Sequence, residues 1–296
     1  MIVNTATLDL VYRGWQAKFN DAYIAAPSHF ADVAMVVNST TTEENYAWLG
    51  SFPQLREWIG PRQIKNLSAH GFKIVNRVFE SAISIPRVRI EDDQIGIFTP
   101  ALTEIGRVTA QHPDELIFGL LANGLTSTCY DGQSFFDTDH PVFNADGTVG
   151  LTSNMQEGAG PAWFLLDTSR GVRPMIWQQR LAPEFVAVTR SEDEGVFLND
   201  EYRYGVRARA NALFGLWQLA FASKAALNAT NYAAARAAMA SVTADGGRKL
   251  GITPTHLVVP PELESDALHL LNTEIKDGGG SNPWKGTAKL IITPFL

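Results

Sequence analysis

Of the groups in this chain able to do chemistry, the densest set is Phe135-Phe136-Asp137-Thr138-Asp139-His140-Pro141. Two carboxylates two residues apart beside an imidazole can ligate a divalent cation or move protons in a hydrolysis. Asp137, Asp139 and His140 are therefore the candidates for a metal-dependent hydrolase. The spacing starts as a calcium loop does, but Pro141 stands at the fifth position and Val142 where the turn glycine belongs. The plainer reading is favoured: a turn whose Asp side chains accept from backbone amides while the two phenylalanines anchor it in a core. Phosphate loops of the GxxxxGK[ST] or GxGxxG type are missing, as are GxSxG, SxxK and HExxH. Cys129 is the single cysteine, so an intrachain disulfide and a zinc site built on cysteines are out, and a reducing compartment fits.

The rest of the composition narrows the classes further. At 45% hydrophobic and 19% charged the chain is an ordinary globular one, with room for one large domain or two. A net charge of -7 argues against a protein whose main task is gripping phosphates, without excluding a container around nucleic acid. The first residues lack a basic stretch followed by an apolar one, so no signal peptide is expected. The most apolar stretch, Ala210 to Ala229, is interrupted by Asn211, Gln218, Ser223 and Lys224, which predicts a buried helix rather than a membrane span.

The elements that would position any site begin with a mixed, poorly periodic region to about residue 60. It holds Trp15, Trp48 and Trp58, and a helix is expected over Tyr12–Ala25. Phe72 to Ile90 reads as two extended strands of β-branched and aromatic residues, followed by Glu91-Asp92-Asp93. A two-stranded ribbon is marginal alone in water and needs a surface to lie on, such as another copy of the chain. Pro100 to Gln111 has helical spacing with Thr99 as N-cap, and a second helix is expected after His112-Pro113, ending at Gly124. Thr126 to Gly160 reads as loop. Strands are expected at Trp163–Asp167, Met175–Gln178, Phe185–Thr189, Glu201–Arg209, His256–Val259 and Lys289–Thr293. Helices are expected at Ala210–Leu227, Tyr232–Ala240 and Glu262–Thr273. The order is mixed rather than strictly alternating, which makes the class α+β.

Several of these residues can join copies of the chain. Arg87 and Arg89 beside Glu91, Asp92 and Asp93 read either as a solvated face or as ionic contacts between copies. Phe72, Arg77 and Phe79 on the ribbon, with Trp15 and Trp48, complete the candidate inter-subunit residues. Arg203, Arg207 and Arg209 alternate along a strand and read as a solvent-facing edge rather than an anion site.

One set of motifs is specific in combination: DDQIGIF (Asp92–Phe98), HPDELIFGLLANG (His112–Gly124), FFDTDHPVF (Phe135–Phe143), WFLLDTSRGVRPMIWQQR (Trp163–Arg180), YGVRARANALFGLWQLAFASK (Tyr204–Lys224), LGITPTHLVVPPELE (Leu250–Glu264) and NPWKG (Asn282–Gly286). In these the chain resembles the major head (capsid) subunit of Mu-like bacteriophages, a family with the HK97-type capsid fold. The resemblance implies an N-terminal arm at 1–63, an extended β-hairpin loop at 64–97, and a peripheral domain with a long spine helix at 98–159. It also implies an axial domain at 160–277, with peripheral strands interleaved, and a return to the peripheral domain at 278–296. It implies hexamers and pentamers of the chain closing into an icosahedral head around double-stranded DNA. Scaffolding, portal and possible decoration proteins would be partners, with no membrane, no cofactor, no metal and no catalytic residue. Assembly would take place in the host cytoplasm. The rivals are an encapsulin-like cellular compartment and the hydrolase centred on Asp137, Asp139 and His140.

Overall fold

Asn4 starts the first helix, α1 (Thr5–Ala25), by a reciprocal cap: its side chain accepts from the Thr7 amide at 2.9 Å while Thr7 Oγ1 accepts from the Asn4 amide at 2.9 Å. The helix therefore begins well before Tyr12, and it buries Leu8, Val11, Trp15 and Phe19 at helical spacing. The computed structural model describes residues 4–46, 49, 73–144, 146, 148–275 and 279–296. A short helix, α2 (Phe30–Val33), follows; the amides of His29 and Phe30 donate to the buried Asp114 carboxylate at 2.9 and 2.6 Å. Then come β1 (Ala34–Asn38), β2 (Glu43–Asn45), β3 (Lys73–Val75) and β4 (Arg77–Pro86), a one-turn α3 (Arg87–Glu91), and the long α4 (Thr99–Ala122).

At about 1.5 Å per residue, α4 extends roughly 36 Å. It is one helix where two were expected. Pro113 lies inside it without ending it, and residues on both sides of the proline, from Leu102 to Leu121, are buried. The region read as loop contains a hairpin, β5 (His140–Phe143) with β6 (Val149–Thr152), and a short β7 (Met155–Gln156). Pro141 and Gly150 mask these strands in the sequence.

The C-terminal half supplies β8 (Trp163–Leu166), β9 (Met175–Val188), α5 (Glu194–Asn199), β10 (Glu201–Phe214) and β11 (Ala220–Ser223). These are followed by α6 (Ala229–Ser241), β12 (Thr243–Ala244), β13 (Arg248–Lys249), β14 (His256–Val259), α7 (Glu264–Asn272) and β15 (Lys289–Ile292). The two strands expected at Met175–Gln178 and Phe185–Thr189 are one strand running through Pro183. Beyond Gln179, β9 has no partner on its β1 side among the described residues, so the missing proline N–H costs no ladder bond there.

The helix expected over Ala210–Leu227 is absent: the stretch is the end of β10, a 3-10 turn at Trp217–Leu219, and β11. An apolar run buried on every side carries no period, so a buried strand and a buried helix look alike in sequence.

Two sheets organise the chain, in the order β1-β9-β10-β4 and β15-β14-β8-β11-β7. The second sheet, with Trp163 to Leu166 wholly buried at its centre, forms the larger core with α6, α7 and the C-terminal half of α4. A smaller core joins Leu8, Val11, Trp15 and Phe19 of α1 to Leu102 and Ile105 of α4, and to Ile85, Phe185, Tyr202, Tyr204 and Val206 of the first sheet. Gly106 lets the two helices meet, since a Cβ there would lie 2.5 Å from the Phe19 carbonyl oxygen.

The ribbon expected from Phe72 to Ile90 takes a different form. β3 pairs with β2, β4 pairs antiparallel with β10 over its whole length (Arg77↔Ala210 to Pro86↔Glu201), and Arg87 to Glu91 is helical. Its second half thus lies in the chain's own sheet, with Ile85 and Ile90 in the smaller core. Even so, among the described residues β4 is the outermost strand there and most of it faces solvent.

Candidate assembly surface

The structure takes the Asp137, Asp139 and His140 cluster apart. His140 is fully buried, its ring stacked on Trp217 at 3.9 Å and 7°, and its Nδ1 shares a 2.8 Å hydrogen bond with Asp131. Asp137 is spent on the turn: its Oδ1 accepts from the Thr138 amide at 2.7 Å, while its own amide donates to Asn154 Oδ1 at 2.9 Å. Asp139 points to solvent, its carboxyl raised above the ordinary value by a hydrogen bond with Asp137. Phe135 and Phe136 are the buried anchors. The hydrolase reading fails because His140, at the start of β5, is buried against Trp217 and bonded to Asp131, while Asp137 and Asp139 stay in the preceding turn, half-buried and exposed.

Among the described residues, the groups that do converge are Cys129, Asp131 and His140. Cys129 Sγ donates to Asp131 Oδ1 at 3.0 Å and His140 bonds Oδ2, so the carboxylate lies between thiol and imidazole and binds one on each oxygen. Burial pushes the Asp131 carboxyl up, but the bonds from His140 and Cys129 outweigh it and hold the group below the usual carboxylate range. Burial, reinforced by the charge of Asp131, pushes the Cys129 thiol far up, so it stays protonated. This is a hydrogen-bond hub that ties the 127–134 turn to β5.

The residues expected to join copies separate in the same way. Trp15 is 4% exposed and packs edge-on against Tyr204 at 4.7 Å; it belongs to the chain's own core and has no surface to offer a neighbour. Phe79 is half-buried against the His112 ring at 4.2 Å, with the exposed Arg77 guanidinium 5.2 Å over its face. Arg87 bonds Glu91 at 3.0 Å and Arg89 bonds Gln94 at 2.6 Å, both within their own turn. Asp92 and Asp93 are exposed, and Asp93 ends the turn in the left-handed region at φ 59°. Phe72 and Trp48 lie outside the described residues.

What the fold leaves uncovered lies elsewhere. Pleating puts Val78, Ala82, Arg203, Arg207, Val186 and Val188 on the face of β4-β10-β9 that turns away from α1 and α4, and all six are exposed. Val78 is 58% exposed, and Phe197 on α5 is 79% exposed. The β5-β6 hairpin exposes a third apolar group. The sequence contained a signal for the hairpin, with Pro141, Phe143, Val149 and Leu151 at alternate positions around an Asn144–Thr148 turn. Phe197 in EGVFLND gave none, because nothing local distinguishes an apolar residue on a cap from one in a core.

Comparison with known proteins places this chain, with its exposed apolar edges, in a family. The family model described as "Mu-like prophage major head subunit gpT" matches residues 8–296. The chain belongs to the Mu-like major head subunit family. It is 45% identical to the major capsid protein of Escherichia phage Mu, with 100% of both chains covered. It is 43% identical to the Mu-like prophage FluMu major head subunit of Haemophilus influenzae, over 98% of this chain and 99% of that one.

Among solved structures it superposes on a chain of the bacteriophage JBD30 procapsid with a TM-score of 0.87, 45% identity, and 99% and 100% of the two chains covered. For the bacteriophage JBD30 capsid the TM-score is 0.78 at 33% identity, with 100% and 99% covered. The fold is thus the α+β, HK97-type fold of a phage major capsid protein. This member of the head subunit family is a structural protein of the virion. Among the described residues no helix is long and apolar enough to cross a membrane.

Proposed function

We propose that this head subunit assembles into hexamers and pentamers that close an icosahedral shell, which encloses double-stranded DNA without sequence-specific binding. The observation that carries this reading is the near full-length superposition on a procapsid chain at a TM-score of 0.87. Ring contacts between identical subunits are heterologous, so one surface must fit a different one and the rotation must close. The outer edge of β4 and its exposed face offer such a surface, with Arg77, Val78, Arg87, Arg89, Asp92 and Asp93 beside it. Full-length relatives that are phage and prophage head proteins favour a head over a cellular compartment.

The domain division follows the family: an arm at 1–63, an extended loop at 64–97, peripheral parts at 98–159 and 278–296, and an axial domain at 160–277. The interleaved strands would be β9 and β10, which carry the smaller core. Scaffolding and portal proteins complete the proposed partners. A decoration protein is a further one, as one JBD30 capsid structure is described as decorated with minor capsid protein trimers.

Deleting residues 71–90 is a poor test, because it removes Ile85 and Ile90 from the smaller core. The substitution Val78→Asp alters an exposed side chain only. Sedimentation velocity and negative-stain microscopy of the expressed chain should show rings, tubes or shells, with V78D reduced to small soluble species. A wild-type chain that stays monomeric at high concentration under assembly conditions overturns the proposal.

A further inference from the structure

The hairpin β5-β6 carries an apolar face that the described residues leave open. Register places Pro141 opposite Leu151 and Phe143 opposite Val149, so these four side chains share one side of the hairpin. Phe143 is 51%, Val149 57% and Leu151 69% exposed. The opposite side holds His140 on Trp217 and Val142 in the larger core. The outer edge of β5 is fixed as well: the Phe143 amide donates to Asp245 Oδ1 at 3.0 Å, and the Gly246 amide donates to the Phe143 carbonyl at 2.7 Å. The hairpin is therefore held rigidly with its apolar side outward, and β6 has no second ladder partner among the described residues.

We infer that this face is a contact between copies of the chain, an inference that rests on the shell reading above. Two observations choose the occupant. Residues 108–169 contain no lysine or arginine, and Asp139, Asp146 and Asp245 lie beside the patch, so phosphate-rich DNA is the wrong partner for it. The patch comprises four side chains, whereas an independent complex draws on about 20–30 residues a side and buries about 800 Å² per partner. A patch of that size cannot hold a separate protein by itself. It can serve as one contact among several between neighbours already fixed side by side in a shell.

The test places a photoreactive benzoylphenylalanine at Leu151 and irradiates assembled particles of the expressed chain. An adduct of two subunits, mapped by mass spectrometry between position 151 and another copy, is the expected product. Adducts confined to one chain, adducts with a different protein, or none from intact particles overturn the inference. As a second measurement, Phe143→Ser with Leu151→Ser should lower the assembled fraction at least about tenfold while leaving the melting temperature of the dissociated subunit unchanged. Particles forming as in wild type sink this contact and leave the shell reading standing; a wild-type chain that forms no particles overturns both.

Discussion

Individual residues have parted from the roles their chemistry suggested, and burial made the division. Asp131 carries the clearest consequence. Its carboxyl is held below the usual range in the folded chain, so it contributes stability above its unfolded value of about 4, which is lost as pH falls through that value and below. Asp131→Asn should cost about 1–3 kcal/mol near neutrality by leaving the thiol, imidazole and Gln133 amide poorly paired. Its deficit should shrink below about pH 4, as read by urea denaturation midpoints across pH. Trp15→Ala should lower unfolding stability by about 3–5 kcal/mol, as a core residue does, whereas V78D should leave it nearly unchanged. Equal stability for W15A and wild type would return Trp15 to the surface.

At the level of elements, the contact between α1 and α4 depends on one missing methyl group. Gly106→Ala places a Cβ against the Phe19 carbonyl and should destabilise by about 1–3 kcal/mol, despite alanine's better helix propensity. Gly119→Ala, in the same helix with open space around it, should stabilise by up to about 1 kcal/mol; thermal melts compare the two directly.

His112 makes α4 sensitive to acid. Burial holds its imidazole below the ordinary value, with Glu115 opposing and Arg77 adding to the effect. The folded chain therefore prefers the neutral ring, and stability falls as pH drops below about 6.5. His112→Gln should flatten that dependence between about pH 7 and 5, and an unchanged slope would assign it to another group, such as the similarly placed His256.

For the whole molecule, the two cores explain why the subunit folds and the open faces explain why it does not stop there. Antiparallel strands such as β4 tolerate water on one face, but a free outer edge is a template for pairing unless something covers it. In the assembly proposed above, identical neighbours would cover that edge, the hairpin face and Phe197. Assembly of the expressed chain should therefore respond to substitutions at exposed apolar residues far more than to those at Arg87 or Arg89. Their partners are already in their own turn, and exposed pairs contribute only about 0–1 kcal/mol each. Light scattering of Arg89→Ala beside V78D makes the comparison, and loss of assembly in both would restore the ionic contact between copies.

The sequence by itself determined the family, the α+β class, the span of α6 to within a turn, and strands such as β8, β14 and β15. Residue types, caps and turn signals act over a few positions, and the motif set as a whole is specific. It also placed Phe135 and Phe136 correctly as anchors of a turn. Only the tertiary structure decided that Ala210–Leu227 holds the end of β10, a turn and β11 rather than a helix, that Trp15 is core, that β4 lies along β10, and that His140 turns toward Asp131. Each of those outcomes depends on pairing between segments distant along the chain. Local period carries no record of which distant segment will cover a side chain, and burial alone fixes whether a reactive group meets solvent, a neighbour or its own fold.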